Sequence, residues 1–424
     1  MLDISKLPAD VCQLDNGLTV IHQEIPASPV AVVDVWVRAG AAEDPLEAPG
    51  MAHFLEHMIF KGSDRVGPGM FDRAIEGQGG VSNAVTSHDF AHYFIITAVE
   101  HLEETLPYLA ELLLHPAIPS DEFVREREVV MEEIRQSKDD PDWLGFQALM
   151  ETVYPQHPYG RPVLGTQVQL MQQTPAQMHL FHQRYYQPEN MTVVVVGGIS
   201  QDKAKELVSQ NFQDFRPRSQ NTIADRLYRL ASSTPAMREI DRRSLSLPRL
   251  EQARLMMAWA GPGVEQLRDA HGLDLLSVLL AAGRSSRLVR QLREESELVQ
   301  EILSDFSLQR DSSLFTITAW LEPQYLEHVE KLICEAIGEL QNTPVSEWEI
   351  SRCKRQLCND YAFSTETPGQ LAGLYGYYNT IASAEQSVTY PASIQALQAE
   401  DLQRLANSYL SVDKYAVTTL RPLW

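Results

Sequence analysis

The chain repeats itself at a domain-sized interval, and that repeat limits the folds open to it more than any other feature. Pro119-Ser-Asp-Glu-Phe ahead of Asp140-Pro141 returns as Pro344-Val-Ser-Glu-Trp ahead of Thr367-Pro368. Tyr186-Gln-Pro-Glu-Asn-Met-Thr-Val-Val-Val-Val returns as Tyr409-Leu-Ser-Val-Asp-Lys-Tyr-Ala-Val-Thr-Thr. Two echoes in the same order, spaced by roughly 225 residues, indicate a duplicated unit and not a solenoid, whose periods are far shorter. A length of 424 residues exceeds what one core supports and suits two domains of about 200. The polar stretches Arg216-Pro-Arg-Ser-Gln-Asn and Ala231-Ser-Ser-Thr-Pro carry no period and mark the joint. The expected division is 1–214, a linker at 215–237, and 238–424.

Within the first half both kinds of element can be read. Asn16-Gly17 between Val11–Leu14 and Leu18–His22 predicts a hairpin with a type I′ turn. Pro29 to Ala39 alternates with β-branched residues and predicts a strand. Pro49-Gly50 and Lys61-Gly62 bracket a helix. Ser82 to Val99 reads as one or two strands, Leu102–Leu114 and Ser120–Gln136 as helices, and Met191–Gly198 as a buried strand. The expectation is an α+β fold of two homologous domains, each a mostly antiparallel sheet packed with helices.

Charge excludes some partners. Thirty-five Lys and Arg against 57 Asp and Glu give −22, which repels phosphate backbones, so no nucleic acid is expected. The longest apolar runs, Met191 to Ile199 and Leu275 to Gly283, fall far short of the roughly 20 residues of a membrane span. The N-terminus has no apolar targeting core and the four cysteines form no framework, so the reading is a cytoplasmic chain with no membrane.

The bracketed helix carries the chemistry. In His53-Phe-Leu-Glu56-His57 the histidines are four apart, hence on one helix face, with Glu56 on the adjoining stripe. This HxxEH order mirrors the HExxH zinc motif, and two imidazoles plus a carboxylate suit Zn²⁺ with a fourth position open. The third ligand is sought on the helix beginning at Ser120. Its periodicity places Phe123, Val129, Val130 and Ile134 on one face, with Glu126 and Glu133 among them, while Glu128 and Glu132 point away. Carboxylates on a core-facing stripe are costly unless paired or metal-bound.

Gly50-Met-Ala-His-Phe-Leu-Glu-His-Met-Ile-Phe-Lys-Gly, then Asn83-Ala-Val-Thr, then Glu126-Arg-Glu-Val-Val-Met-Glu-Glu133 resemble the inverzincin peptidase family M16. Gly283-Arg-Ser-Ser-Arg-Leu-Val-Arg-Gln-Leu-Arg-Glu-Glu extends the resemblance into the second half. It implies the duplicated α+β architecture of the M16 and LuxS-like metallohydrolases, with two such chains, or four domains, around a chamber. It also implies that His53, His57 and Glu133 ligate one zinc per chain, that Glu56 is the general base, and that Glu126 is a carboxylate behind the ligands. Asn83 and Ala84 match the edge strand where a peptide substrate pairs, and Arg293 matches an arginine that reaches the substrate. The implied activity is endopeptidase cleavage of extended or presequence-like peptides. Aligning Lys61-Gly62 with Ala282-Gly283 puts Asp274, Ser277 and Val278 at the HxxEH positions and Asn359 opposite Glu133, so the second half is expected to hold no metal.

Two departures stand in that half. The family's tyrosine position, seven residues after Arg293, is Gln300, and the glycine three before it is Glu297. The expected partner is therefore a second chain, as a homodimer or as a heterodimer whose other M16-like subunit supplies an arginine and tyrosine pair. Two other readings stay open: a non-catalytic binding or structural subunit of a larger complex, and a metal-dependent hydrolase of a non-peptide substrate.

Overall fold

The computed structural model describes residues 7–215, 237–248 and 250–423. Of the expected linker, 216–236 lies outside the described residues. The strands are β1 (Asp10–Gln13), β2 (Thr19–Glu24), β3 (Val30–Val37), β4 (Val81–Thr86), β5 (Ala91–Ala98) and β6 (Met191–Gly197) in the first half. In the second they are β7 (Asp241–Leu247), β8 (Ala253–Pro262), β9 (Val299–Ser307), β10 (Ser312–Leu321) and β11 (Ala416–Pro422). The helices run α1 (Met51–Ile59), α2 (Met70–Glu76), α3 (Leu102–Leu114), α4 (Ser120–Ser137), α5 (Pro141–Val153), α6 (Gln167–Leu170), α7 (Pro175–Tyr185) and α8 (Gln201–Asn211). They continue as α9 (Leu267–Ala281), α10 (Leu326–Asn342), α11 (Glu347–Phe363), α12 (Pro368–Ile381), α13 (Gln386–Ala396) and α14 (Ala399–Tyr409). No helix among the described residues is long and apolar enough to cross a membrane.

Two sheets make the duplication visible. The first has the order β1-β2-β6-β3-β5-β4 and the second β7-β11-β8-β10-β9. With β1 set aside the orders are identical, and in each only the pair β2–β6 or β7–β11 is parallel. The expected α+β fold with mostly antiparallel sheets is borne out. β6, buried along its whole length, lies between β2 and β3. The first core gathers Val33, Val35, Tyr93, Ile95 and Val195 from the sheet against Phe54, Leu55, Leu109 and Phe181 from the helices. The second gathers Leu255, Met257, Phe315 and Ile317 against Leu276, Leu279, Ile333 and Ile337. Each such side chain contributes about 1.5–3 kcal/mol on burial, so these faces hold the helices in place.

The compact units are not contiguous halves. One is built from 7–135, 161–215 and 362–388, the other from 136–160, 237–361 and 389–423. α5 comes from the first half yet packs on β8 and β11 of the second sheet, while α12 comes from the second half and packs on β3 and β6. Both helices start alike, with Asp140 or Thr367 accepting backbone N–H bonds and proline at the first turn. Both press close to their sheets: a Cβ on Gly145 would meet Met256 Sδ at 2.4 Å, and one on Gly376 would meet Trp36 Nε1 at 2.0 Å. A division at 214 and 238 therefore misses this exchange of helices, which local sequence pattern does not encode.

Two smaller expectations are corrected. β1 and β2 pair as a hairpin, but its loop spans Leu14 to Leu18, closed by Leu14 N–H to Leu18 O and Gly17 N–H to Leu14 O. Gly17 has φ 95° while Asn16 keeps negative φ, so the turn is not type I′. Asn16 instead accepts the Leu18 N–H on its Oδ1. On α4 the buried face is Phe123, Glu126, Val130, Met131 and Ile134, and Val129 is 46% exposed. Spacings of three and four carry the buried stripe from 123 through 126 and 130 to 134, and Val129 lies about 100° from Val130 around the axis.

Candidate metal centre

α1 is fixed at both ends. Before it, buried Asp44 accepts the Gly50 N–H on Oδ2 at 2.6 Å and the Ala52 N–H on Oδ1 at 2.8 Å. Arg161 anchors that loop by donating to the carbonyls of Ala41, Ala42 and Asp44. Burial pushes the Asp44 carboxyl up to about 7, against those N–H bonds and the guanidinium. The apolar residues Met51, Phe54, Leu55 and Met58 bury one side of the helix, leaving His53, Glu56 and His57 on the other.

α4 brings the carboxylates. Nε2 of His57 lies 3.5 Å, and Nε2 of His53 3.7 Å, from the same Glu133 Oε2. One donor atom from each of the three residues falls within 4.8 Å of the others. These separations are long for hydrogen bonds. They approach the roughly 3.3 Å between two ligands about 2.05 Å from a tetrahedral Zn²⁺. The donor set is that of zinc, and the histidine side chains are 13% and 15% exposed while Glu133 is 38% exposed, so the cluster opens on the Glu133 side. The residues fit the ion.

Glu126, the buried carboxylate of the stripe, lies behind His57. Its Oε1 takes the His57 Nδ1 bond at 2.9 Å and its Oε2 pairs with Lys61 Nζ at 2.6 Å. This leaves Nε2 of His57 facing Glu133. Burial lowers His53 to about 4, helped by the neighbouring His57. Burial works against charge on His57 as well, but the carboxylates of Glu126 and Glu133 outweigh it and raise the ring to about 9.

Glu56 points to the sheet. Thr86 Oγ1 on β4 donates to Glu56 Oε2 at 2.5 Å. Burial raises the Glu56 carboxyl, while Thr86 and then His57 hold the rise down. A half-buried carboxyl with a raised pKa beside a three-ligand cluster is suited to take and return a proton.

β4 is one of the two edge strands of the first sheet, β1 being the other. Asn83 and Ala84 both lie on it, and Asn83 Oδ1 accepts the Ala84 N–H at 2.9 Å. Arg293 belongs to the other compact unit. It sits in a π-helical turn, Val289–Glu295, with its guanidinium on Glu294 at 2.6 Å. Gln300 is exposed and is the extra residue of a bulge on β9, between Val299 opposite Leu321 and Glu301 opposite Trp320.

Sequence reasoning missed Thr86, Lys61, Asp44 and Arg161. Lys61 had a signal, four residues after His57; the others are set by tertiary folding. In the second half Val278 is core, Asn359 is exposed, and Asp274 accepts a hydrogen bond from Tyr390. Burial holds Asp274 up at about 6. His53, His57 and Glu133 are the one such ligand group among the described residues.

This fold and site define a duplicated α+β protein with, among the described residues, one candidate metal-ligand cluster. The model for "Insulinase (Peptidase family M16)" matches residues 19–167, and that for "Peptidase M16 inactive domain" matches 173–357. The chain belongs to peptidase family M16 and is of its short, two-domain type. It is 29% identical to the zinc protease PqqE of Helicobacter pylori, over 96% of this chain and 92% of that protein. It is 26% identical to the zinc protease YmxG of Bacillus subtilis, over 97% of each. A crystal structure of a protease from Helicobacter pylori superposes with a TM-score of 0.90 at 28% identity, covering 98% of this chain and all of that one.

Proposed function

We propose that this chain is a zinc-dependent endopeptidase acting on extended peptides, with one zinc per chain on His53, His57 and Glu133. The observation that carries the reading is the convergence of both Nε2 atoms on Glu133 Oε2, with Glu56 alongside. When bound, the ion supplies Lewis acidity toward water and the scissile carbonyl. Glu56 takes a proton from the attacking water and passes it to the leaving amine. Thr86 keeps the Glu56 carboxyl group aimed through both steps. A substrate joins the first sheet at β4 as a further strand, with Asn83 Oδ1 giving up the Ala84 N–H to the peptide. The acidic balance of −22 favours basic segments.

The same chain is proposed to act as the zinc-bearing subunit of a dimer with a second M16-like chain, or with a copy of itself. Gln300 and Glu297 in place of the family's tyrosine and glycine support the mixed pairing. They also favour, as the second reading, a non-catalytic subunit. Cleavage of a mixed peptide library by zinc-loaded protein, compared with Glu56→Gln, tests the first reading. Stoichiometric zinc with no cleavage, alone or with a partner, would leave the second.

A further inference from the structure

We infer that Lys61 is a positioning residue for the metal site, setting the imidazole of His57 through Glu126. The inference rests on the zinc reading above and adds to it a residue that touches neither metal nor substrate.

Lys61 is delivered by the way α1 stops. The helix ends at Ile59, and the Lys61 N–H turns back to Met58 O at 3.1 Å. Gly62 follows with φ 107°, where a Cβ would sit 2.6 Å from Val66 O, so the turn requires glycine. The Gly62 carbonyl accepts the Ala117 N–H at 3.0 Å, and Ser63 Oγ accepts the N–H groups of Arg65 and Val66 while donating to Glu111. Pinned on both sides, the turn folds Lys61 back over the last turn of α1 toward α4.

There its ammonium meets a carboxylate that pairs with His57 and, among the described residues, with no other lysine or arginine. Glu126 is 7% exposed, and its two oxygens are divided between His57 Nδ1 and Lys61 Nζ. The other cations of α4 are engaged elsewhere: Arg125 pairs with Glu122, Arg135 with Glu132, and Arg127 lies over the Phe123 ring. Without Lys61, one oxygen of a buried carboxylate loses its partner. The carboxylate then turns, and the Nδ1 bond that holds the His57 ring and its tautomer loosens.

The sign of the effect separates this from bare electrostatics. A lysine near a dication repels it, so by Coulomb's law alone Lys61→Met would tighten zinc binding. Positioning through Glu126 demands the opposite.

The test is a double-mutant cycle on zinc affinity, measured by competition with a chelator on the full chain, for parent, Lys61→Met, Glu126→Gln and the double variant. Lys61→Met should weaken zinc by about 10–100-fold, the usual loss when support behind a ligand is removed. In the Glu126→Gln background the same change should cost less than about twofold, because the route is already cut. Lys61→Arg should recover most of the affinity, and the absorption of the cobalt-substituted protein should change in Lys61→Met and return in Lys61→Arg. Unchanged or tighter zinc in Lys61→Met, or an equal loss in both backgrounds, overturns the inference. A parent chain that binds no zinc overturns the zinc reading instead.

Discussion

Thr86 Oγ1 donates to Glu56 Oε2 across 2.5 Å, tying the proposed base to the same edge strand that carries Asn83 and Ala84. The bond favours the ionised carboxylate, whose pKa burial otherwise raises. Thr86→Val removes it, so the Glu56 pKa should rise further. A hydrogen bond to a charged group is worth about 1.5–3 kcal/mol, so the acid limb of kcat/KM should move up by about one pH unit or more. A pH–rate profile with an unmoved acid limb would show that Thr86 has no hold on the base.

Glu297 stands where the family has a glycine, and its backbone has φ 51°. A left-handed conformation costs a residue with a side chain about 1 kcal/mol or more. Glu297→Gly should therefore stabilise the chain by about 0.5–1 kcal/mol after the unfolded-state entropy of glycine is counted, raising Tm by about 1–3 °C. Glu297→Ala should give no such gain. Calorimetry of the three proteins checks it, and equal melting of all three would remove the strain argument.

Acid should undo one contact of the second unit. Burial tends to raise the Glu349 carboxyl, but Arg287 at 2.8 Å and the Ser346 N–H and hydroxyl bring it down to about 2 from 4.5. A carboxyl depressed in the fold adds stability above its unfolded pKa and loses it as pH falls from about 4.5 toward 2. Glu349→Gln should thus destabilise the protein clearly at pH 7 and little near pH 2. A deficit constant across that range, measured by denaturant titration, would contradict the assignment.

The departures at Gln300 and Glu297 bear on self-sufficiency. If the chain is the zinc-bearing half of a heterodimer, the purified chain alone should cleave peptides slowly and a second M16-like subunit should raise the rate. Where a phenol would donate to a developing oxyanion, an amide is a weaker donor. Gln300→Tyr should then raise kcat of the chain alone. Full activity of the isolated chain, with no gain from Gln300→Tyr, would decide for the homodimer.

Much of this architecture was legible because it is local or periodic. Uniform burial of Met191–Gly197 follows from a run that is apolar apart from Thr192, and the matched sheet orders follow from the echoes in the sequence. His53, Glu56 and His57 could be placed on one side of a helix by spacing alone. What stayed hidden depends on chain paths. Pro141–Val153 reads as an ordinary helix of the first half, and no local signal sends it to the second sheet. Thr86 looks like any strand threonine until the fold brings β4 beside α1. Val129 was misplaced because an apolar residue one step off the stripe looks like a member of it.

Metal content of two single-atom-type changes tests the central claim most directly. Zinc per chain should be close to one in the parent and in Glu56→Gln, since Glu56 lies beside the ligands and not among them. Glu133→Gln should lose most of its zinc, because the oxygen on which both histidines converge becomes a poor neutral ligand. Peptide cleavage should be abolished in both variants. Elemental analysis of the dialysed proteins gives the answer: full zinc in Glu56→Gln and little in Glu133→Gln supports the site as described, whereas equal zinc in the two variants contradicts it.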